Sequence, residues 1–264
     1  ELKALLCPHA RLELSGPVAA AAYKCLKGRT YSTVVLVGPD HYVGFEGVAV
    51  YPSGSFRTPL GEVPVDEDLA GLLLEAGGSV RAAPEAHARE HALEVQIPFL
   101  QRVLPDAAIV PVLMGFRSRT NVETMANLLS RALSNPRCLL VATTDLSHYH
   151  PRTEAKALDD RITQLVRAFA PTSLWKELRD GRVEACGGDS MVAVMLAAAI
   201  AGAEASRVLR YADSGEGSGN LASVVGYLSA AFFRGAPSTR VAFQAEAHEE
   251  LPTTAPSPAV TSKA

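Results

Sequence analysis

The chain has 264 residues, 48% hydrophobic and 20% charged, with a formal net charge of -3. That composition supports a packed core and excludes wholesale disorder, and the slight negative charge leaves no basic footprint for a nucleic-acid backbone. The longest apolar stretch, residues 191–203, is too short to span a bilayer, and residues 1–15 carry no basic-then-apolar leader. No membrane contact and a cytoplasmic address are therefore expected.

From the start of the chain, residues 3–7 read as a buried strand. Ser15 then caps a helix with Pro17 in its first turn and Gly28 past its end. Strands follow at 33–37 and 48–51, the second opening a Pro- and Gly-rich hairpin excursion that runs to Val65. Residues 66–76 form a helix with acids in its first turn, stopped by Gly77-Gly78. The pattern continues with a helix at 90–104, a strand at 108–114, a helix at 121–134 and a strand at 138–142. Helices at 153–169 and 188–201 precede strands at 208–211 and 223–230. Such alternation predicts an α/β fold, one domain over 1–235 with a mostly parallel central sheet flanked by helices. Residues 236–264, rich in Ala, Pro, Ser, Thr and Glu, are expected to form a disordered tail.

Four cysteines without a CxxC pair point to reduced thiols, with Cys25 and Cys138 in the core. The histidines say more. His9 lies two residues after the first strand, His41 four after the second, and Asp145, His148 and His150 just past the strand ending at Ala142. In a parallel sheet all carboxyl ends share one edge, where open α/β folds bind ligands, so His9, His41 and His148 should meet there. Neutral imidazole is the commonest metal ligand and a general base near neutral pH. A single such histidine reads best as a turn residue; three at strand ends favour a site.

Cys186 opens the run ACGGDS ahead of a helix, where it reads equally as a thiolate ligand or nucleophile favoured by the helix N-terminus and as a small apolar turn residue. Cys7, two residues before His9, can share its face. Asp145 and His148, three apart, read either as a carboxylate–imidazole pair fixing one ring tautomer or as a capping aspartate. His91, with Glu94, can face the rim, although Glu90 is not placed as in HExxH. His87 reads as a plain loop residue, His150 as a supporting or solvated ring, and His248 as part of the tail. Competing signals are weak. Ser147 and Ser190 lack a GxSxG elbow, no phosphate-binding GxGxxG or GK[ST] occurs, and SGEGSGN over 214–220 reads as a link into the last strand.

The blocks PHARLELSGPVAAAAYK, LVGPDH, TPLGEVPVD, EHALEVQIPFLQ, VPVLMG, TTDLSHY, ACGGDS and VVGYLSAA occur in the order and spacing of the Memo-like family. That family, also called AmmeMemoRadiSam system protein B, is similar to the class III extradiol ring-cleaving dioxygenases. The resemblance runs from about Ala4 to Phe233 and implies the extradiol-dioxygenase-like α/β fold. It implies a metal held by His9, His41 and Cys186, the cysteine standing where the dioxygenases keep a carboxylate. His148 falls at the acid/base position, with Asp145 beside it and His91 lining the pocket. Fe(II) is the cofactor implied first and copper second, acting on a small-molecule substrate that the sequence does not name. Radical-SAM and AMMECR-type partner proteins, and a homo-oligomer, are implied by the same resemblance. The chain departs from the family at Arg11 and Leu12, where PHAGY is usual, at Asp40 in GPDH, and after Cys186, where a proline often follows. The leading expectation is thus a non-haem metal-dependent oxidoreductase. Its rivals are an adaptor or metal-binding protein using the same cleft for an acidic or phosphorylated peptide, and a thiol hydrolase pairing Cys186 with His148.

Overall fold

Alternating apolar residues along the central strands send side chains to two different faces, and this builds the architecture. In the computed structural model, which describes residues 1–235, Ala4 and Leu6 enter one core while Leu5 and Cys7 enter the other. Val35 and Val37 oppose Val34 and Leu36 in the same way. The strands are β1 (Leu2–Cys7), β2 (Thr33–Pro39), β3 (Val48–Val50), β4 (Ser55–Thr58), β5 (Gly61–Pro64), β6 (Val80–Ala82), β7 (Ala108–Met114), β8 (Cys138–Thr143), β9 (His148–His150), β10 (Ala205–Asp213) and β11 (Val224–Phe233). Their order in the main sheet is β10-β11-β1-β8-β2-β7-β3-β6, with β9 added beside β11. The central run β1-β8-β2-β7 is parallel, whereas β10, β11 and β3 join antiparallel. The expected α/β class holds, and β4 and β5 form the separate hairpin expected between residues 48 and 65.

The helices are α1 (Leu12–Tyr23), α2 (Glu67–Leu74), α3 (Pro84–His87), α4 (Ile97–Val103), α5 (Arg119–Ala132), α6 (Arg152–Arg167), α7 (Pro171–Arg179), α8 (Gly188–Ile200) and α9 (Gly215–Ser218). One face of the sheet carries α5, α6, α7 and α8; the other carries α1 and α4. Helix α8 is apolar all round and almost wholly buried, which is why 191–203 reads as the longest apolar stretch. No helix among the described residues is long and apolar enough to cross a membrane. The expected tail at 236–264 lies outside the described residues.

Two helix starts differ from expectation. Helix α1 begins at Leu12, not Ser15; the Ser15 hydroxyl donates to the Ala10 carbonyl at 2.8 Å, and Pro17 sits inside the helix. The extra N-terminal turn leaves the Glu13 carbonyl without its Pro17 donor. The helix expected from Glu90 begins instead at Ile97, because Pro98 is tolerated in a first turn but would break an interior. Residues 88–96 consequently wind as turns ending in one 3₁₀ turn, Glu94–Gln96, and this places two side chains in the site.

Candidate metal centre

Three parallel strands end on one edge of the sheet. His9 lies two residues beyond β1, His41 two beyond β2 and Asp145 two beyond β8. The register sets Cys7 beside Thr143 and Val37 beside Ala142, so the three turns begin nearly level. Cys186 arrives from the turn ahead of α8. A Cβ at Gly187 would collide with the Thr143 carbonyl, and the Gly187 N–H donates to Thr144 Oγ1 at 2.8 Å. Glycine alone lets that turn lie against the end of β8.

Cys186 Sγ consequently sits 3.2 Å from His9 Nε2 and accepts the Asp145 N–H at 3.3 Å. The ligand atoms of His9, His41 and Cys186 all lie within 4.8 Å of one another. One ion with bonds of about 2.0–2.3 Å to nitrogen and sulfur can bridge such a separation. Two imidazoles and a thiolate suit a redox-capable or borderline-soft metal, so the donor set fits. His91 stands beside them, its ring centroid 5.1 Å from His41 and 5.8 Å from His9. Asp145, His148 and the other four converge on one cleft of about 660 Å³, with the exposed Tyr42 and Tyr149 at its outer side and the buried Tyr227 within its wall. Tyr149 holds a left-handed backbone, φ 64°, and its side chain stands exposed at the rim.

The rings of His9 and His41 are supported differently. His9 is buried, and its Nδ1 lies 2.9 Å from Thr143 Oγ1. Burial holds this imidazole well below its usual pKa, helped by repulsion from His41 and His91. His41 instead meets Glu90: its Nδ1 donates to Oε1 at 3.0 Å and its backbone N–H to Oε2 at 2.7 Å. Hydrogen bonds to Cys186 and then Glu90 raise His41 to about 10. Burial pushes Glu90 up, but bonds from His41 and the Ala92 N–H outweigh it and bring the carboxyl down to about 2. Glu90, His41 and His91 also lie within ligand distance of one another. Glu90 already accepts N–H groups from His41, His91 and Ala92, so it orients His41 rather than offering a free oxygen.

Sequence reasoning missed Glu90 and Gln96. The signal was available: Pro98 forces the helix to start late, leaving EHALEVQ to fold its polar groups inward. Asp145 also differs from its expected partner. Its Oδ1 accepts the N–H groups of His9 and Ala10 at 2.9 and 3.3 Å, while burial raises its carboxyl to about 6. His148 is carried off by β9, paired to Val225 of β11, and its ring bonds the Leu146 backbone. Asp145 therefore braces the His9 turn. Burial lowers the pKa of both His148 and His91.

His87 is a buried ring, not a plain loop residue, with Nε2 3.3 Å from the Ala49 carbonyl. His150 lies off the site against Glu184 and Glu154. Arg11 is exposed ahead of α1, and Asp40 caps the N–H groups of Val43 and Gly44. Asp189, at the position after the double glycine, accepts from Arg117 and the Ser118 N–H. A second cavity, about 480 Å³ between α5, α7 and α8, is lined by Val192, Leu196 and Trp175 with surface ion pairs at its edge. It gathers no ligand set.

Comparison with known proteins comes out consistently. The sequence pattern of a family described as Memo-like protein matches residues 1–231. A MEMO1 family protein of Thermotoga petrophila is 38% identical over 228 residues, covering 86% of this chain and 81% of the relative. One from Aeropyrum pernix is 37% identical over 228 residues, covering 85% and 81%. The crystal structure of an uncharacterized protein from Escherichia coli K12 has a TM-score of 0.61 at 16% identity, covering 88% of this chain and 100% of that one. That last likeness is one of fold alone.

Proposed function

The chain belongs to the Memo-like protein family, and from that premise we propose that it is a metal-dependent redox enzyme, its ion held by His9, His41 and Cys186. The observation that carries the reading is the convergence of two imidazoles and a sulfur, within 4.8 Å, at the floor of a cleft. A redox-capable ion there, iron(II) first and copper second, would supply electron exchange with dioxygen or a bound substrate. The chain's own residues do the rest. Glu90 aims His41, and Asp145 fixes the turn that aims His9. His148, half-buried and held neutral by that burial, takes a proton from substrate at the ring nitrogen not engaged by Leu146. His91 and the tyrosines wall the cleft.

The rival readings find less support. No lysine or arginine is among the described cleft-lining residues, and the protonated His41 already faces Glu90, so the wall offers no spare cation for a phosphorylated or acidic peptide. A thiol hydrolase would pair Cys186 with His148, yet the ring 3.2 Å from Sγ is His9. Association with radical-SAM and AMMECR-type proteins rests on the family resemblance, and a pulldown tests it.

Metal analysis by mass spectrometry on anaerobically purified protein is the direct test. Near-stoichiometric iron or copper in wild type, falling at least tenfold in Cys186→Ala, is expected. Dioxygen consumption that His148→Ala abolishes would add the redox step. Protein that binds no iron(II) even after reconstitution would overturn the reading.

A further inference from the structure

Behind His9, on the side away from Cys186, runs a buried line of hydrogen bonds. The Tyr23 hydroxyl donates to Gln96 Oε1 at 2.9 Å. Gln96 Nε2 donates to the Pro8 carbonyl at 2.9 Å and to Thr143 Oγ1 at 3.1 Å. Thr143 Oγ1 lies 2.9 Å from His9 Nδ1, and His9 Nε2 lies 3.2 Å from Cys186 Sγ. Gln96 and Thr143 are fully buried.

The direction of this line follows from donor counting. The Pro8 carbonyl only accepts, so the amide nitrogen of Gln96 must face Pro8 and Thr143. Gln96 thus occupies one lone pair of the Thr143 oxygen. The hydroxyl proton then has one acceptor within reach, His9 Nδ1. If it points there, every group is satisfied, and the ring's own proton sits on Nε2, aimed at Cys186 Sγ. If His9 carries its proton on Nδ1 instead, the Thr143 proton is left without a partner in a dry site.

We propose that Gln96, acting through the Thr143 hydroxyl, holds His9 as its Nε2–H tautomer in the metal-free protein and so weakens the centre's grip on its ion. The inference rests on reading His9 Nε2 as a metal ligand. On loading, the N–H bond at Nε2 breaks and one forms at Nδ1, so the ring keeps a single proton while the Thr143 hydroxyl turns to accept it. Gln96 is a positioning residue that makes the ion exchangeable rather than permanently fixed.

The test is nitrogen NMR of ¹⁵N-histidine-labelled protein, metal-free and then loaded with zinc, with zinc affinity from chelator competition. Zinc is diamagnetic and takes the same nitrogen and sulfur donors. The metal-free wild type should carry the His9 proton on Nε2, moving to Nδ1 on loading. Gln96→Glu, entering as the neutral acid, donates to Pro8 and accepts from Thr143. The freed Thr143 lone pair then takes Nδ1–H. That variant should show the Nδ1–H tautomer without metal and bind zinc about tenfold more tightly, opposite to the usual loss when a supporting group is altered. A metal-free wild type already protonated on Nδ1 overturns the proposal, as does a Gln96→Glu protein with unchanged tautomer or no gain in affinity. The wild-type spectrum needs no variant, so failure of Gln96→Glu to fold leaves the proposal open to refutation. A protein that bound no zinc would defeat the metal-centre reading, while the metal-free tautomer would still be measured.

Discussion

The two walls of the cleft solve the same problem with opposite chemistry. On one wall, His41 is backed by the buried carboxylate of Glu90, and the Cys186 sulfur together with this carboxylate raises the ring to about 10. On the other, His9 is backed by a neutral hydroxyl and amide, and burial keeps the ring uncharged. An ion arriving between them must displace a proton from the first ring but only move one within the second. The sulfur and the carboxylate beside His41 together place the pH sensitivity of the centre on that ring. The two buried carboxylates differ in partners: Glu90, hydrogen-bonded to a protonatable ring, falls to about 2, while Asp145, hydrogen-bonded by backbone N–H groups, is raised by burial to about 6.

Removing the charge from the first wall should break the comparison most severely. Glu90→Gln puts an amide nitrogen where N–H groups of His41, His91 and Ala92 now converge. Loss of these charge-assisted bonds should cost about 2–3 kcal/mol of stability in a denaturant melt. Zinc affinity should fall about 10- to 100-fold, since the ring is no longer aimed. A variant with wild-type affinity would mean that Glu90 is scaffold only.

Titration sharpens the contrast. Because His41 holds its proton up to about pH 10, that proton competes with the ion throughout the neutral range. Apparent zinc affinity should rise by about tenfold per pH unit on account of His41 and flatten near pH 10. In Glu90→Gln the plateau should begin at lower pH. His9 should contribute no slope. Chelator competition at a series of pH values measures both, and a flat wild-type profile would refute the protonated first wall.

Much of this arrangement can be read before any coordinates, and the reasons differ residue by residue. His9, His41 and Asp145 were legible because Val- and Leu-rich strands announce a parallel sheet, and a parallel sheet has only one carboxyl edge. Cys186 was legible as a cysteine in a glycine turn ahead of a helix, although only the fold shows Gly187 pressed onto the Thr143 carbonyl. Glu90 and Gln96 were hidden because helical periodicity over 90–104 masks the stop imposed by Pro98. The Asp145–His148 pairing failed for a longer-range reason. Whether His148 stays beside Asp145 depends on β11, some seventy-five residues on, capturing β9.

The smallest expected effect comes from a third histidine that has neither kind of support. His87 is buried against Tyr51 and bonds the Ala49 carbonyl, and burial lowers it to about 4. It shows desolvation outweighing the Ala49 carbonyl and the more distant carboxylates of Glu90, Glu85 and Asp40 when none of these carboxylates is hydrogen-bonded to the ring. The neutral ring is the form the folded protein accepts. Its stabilising contribution is therefore complete above the ordinary value of 6.5 and is lost as pH falls from there through 4, where the unfolded chain binds the extra proton. The loss should be about 2 kcal/mol, after discounting for relaxation around the charged ring. His87→Gln keeps a donor for Ala49 without a titrating group, so the difference in melting stability between wild type and variant should shrink or reverse between pH 6.5 and 4. A difference independent of pH would mean that the His87 pocket opens to water readily. Burial alone could then not be what keeps histidines uncharged in this fold, and the neutral state of His9 would have to come from its neighbours instead.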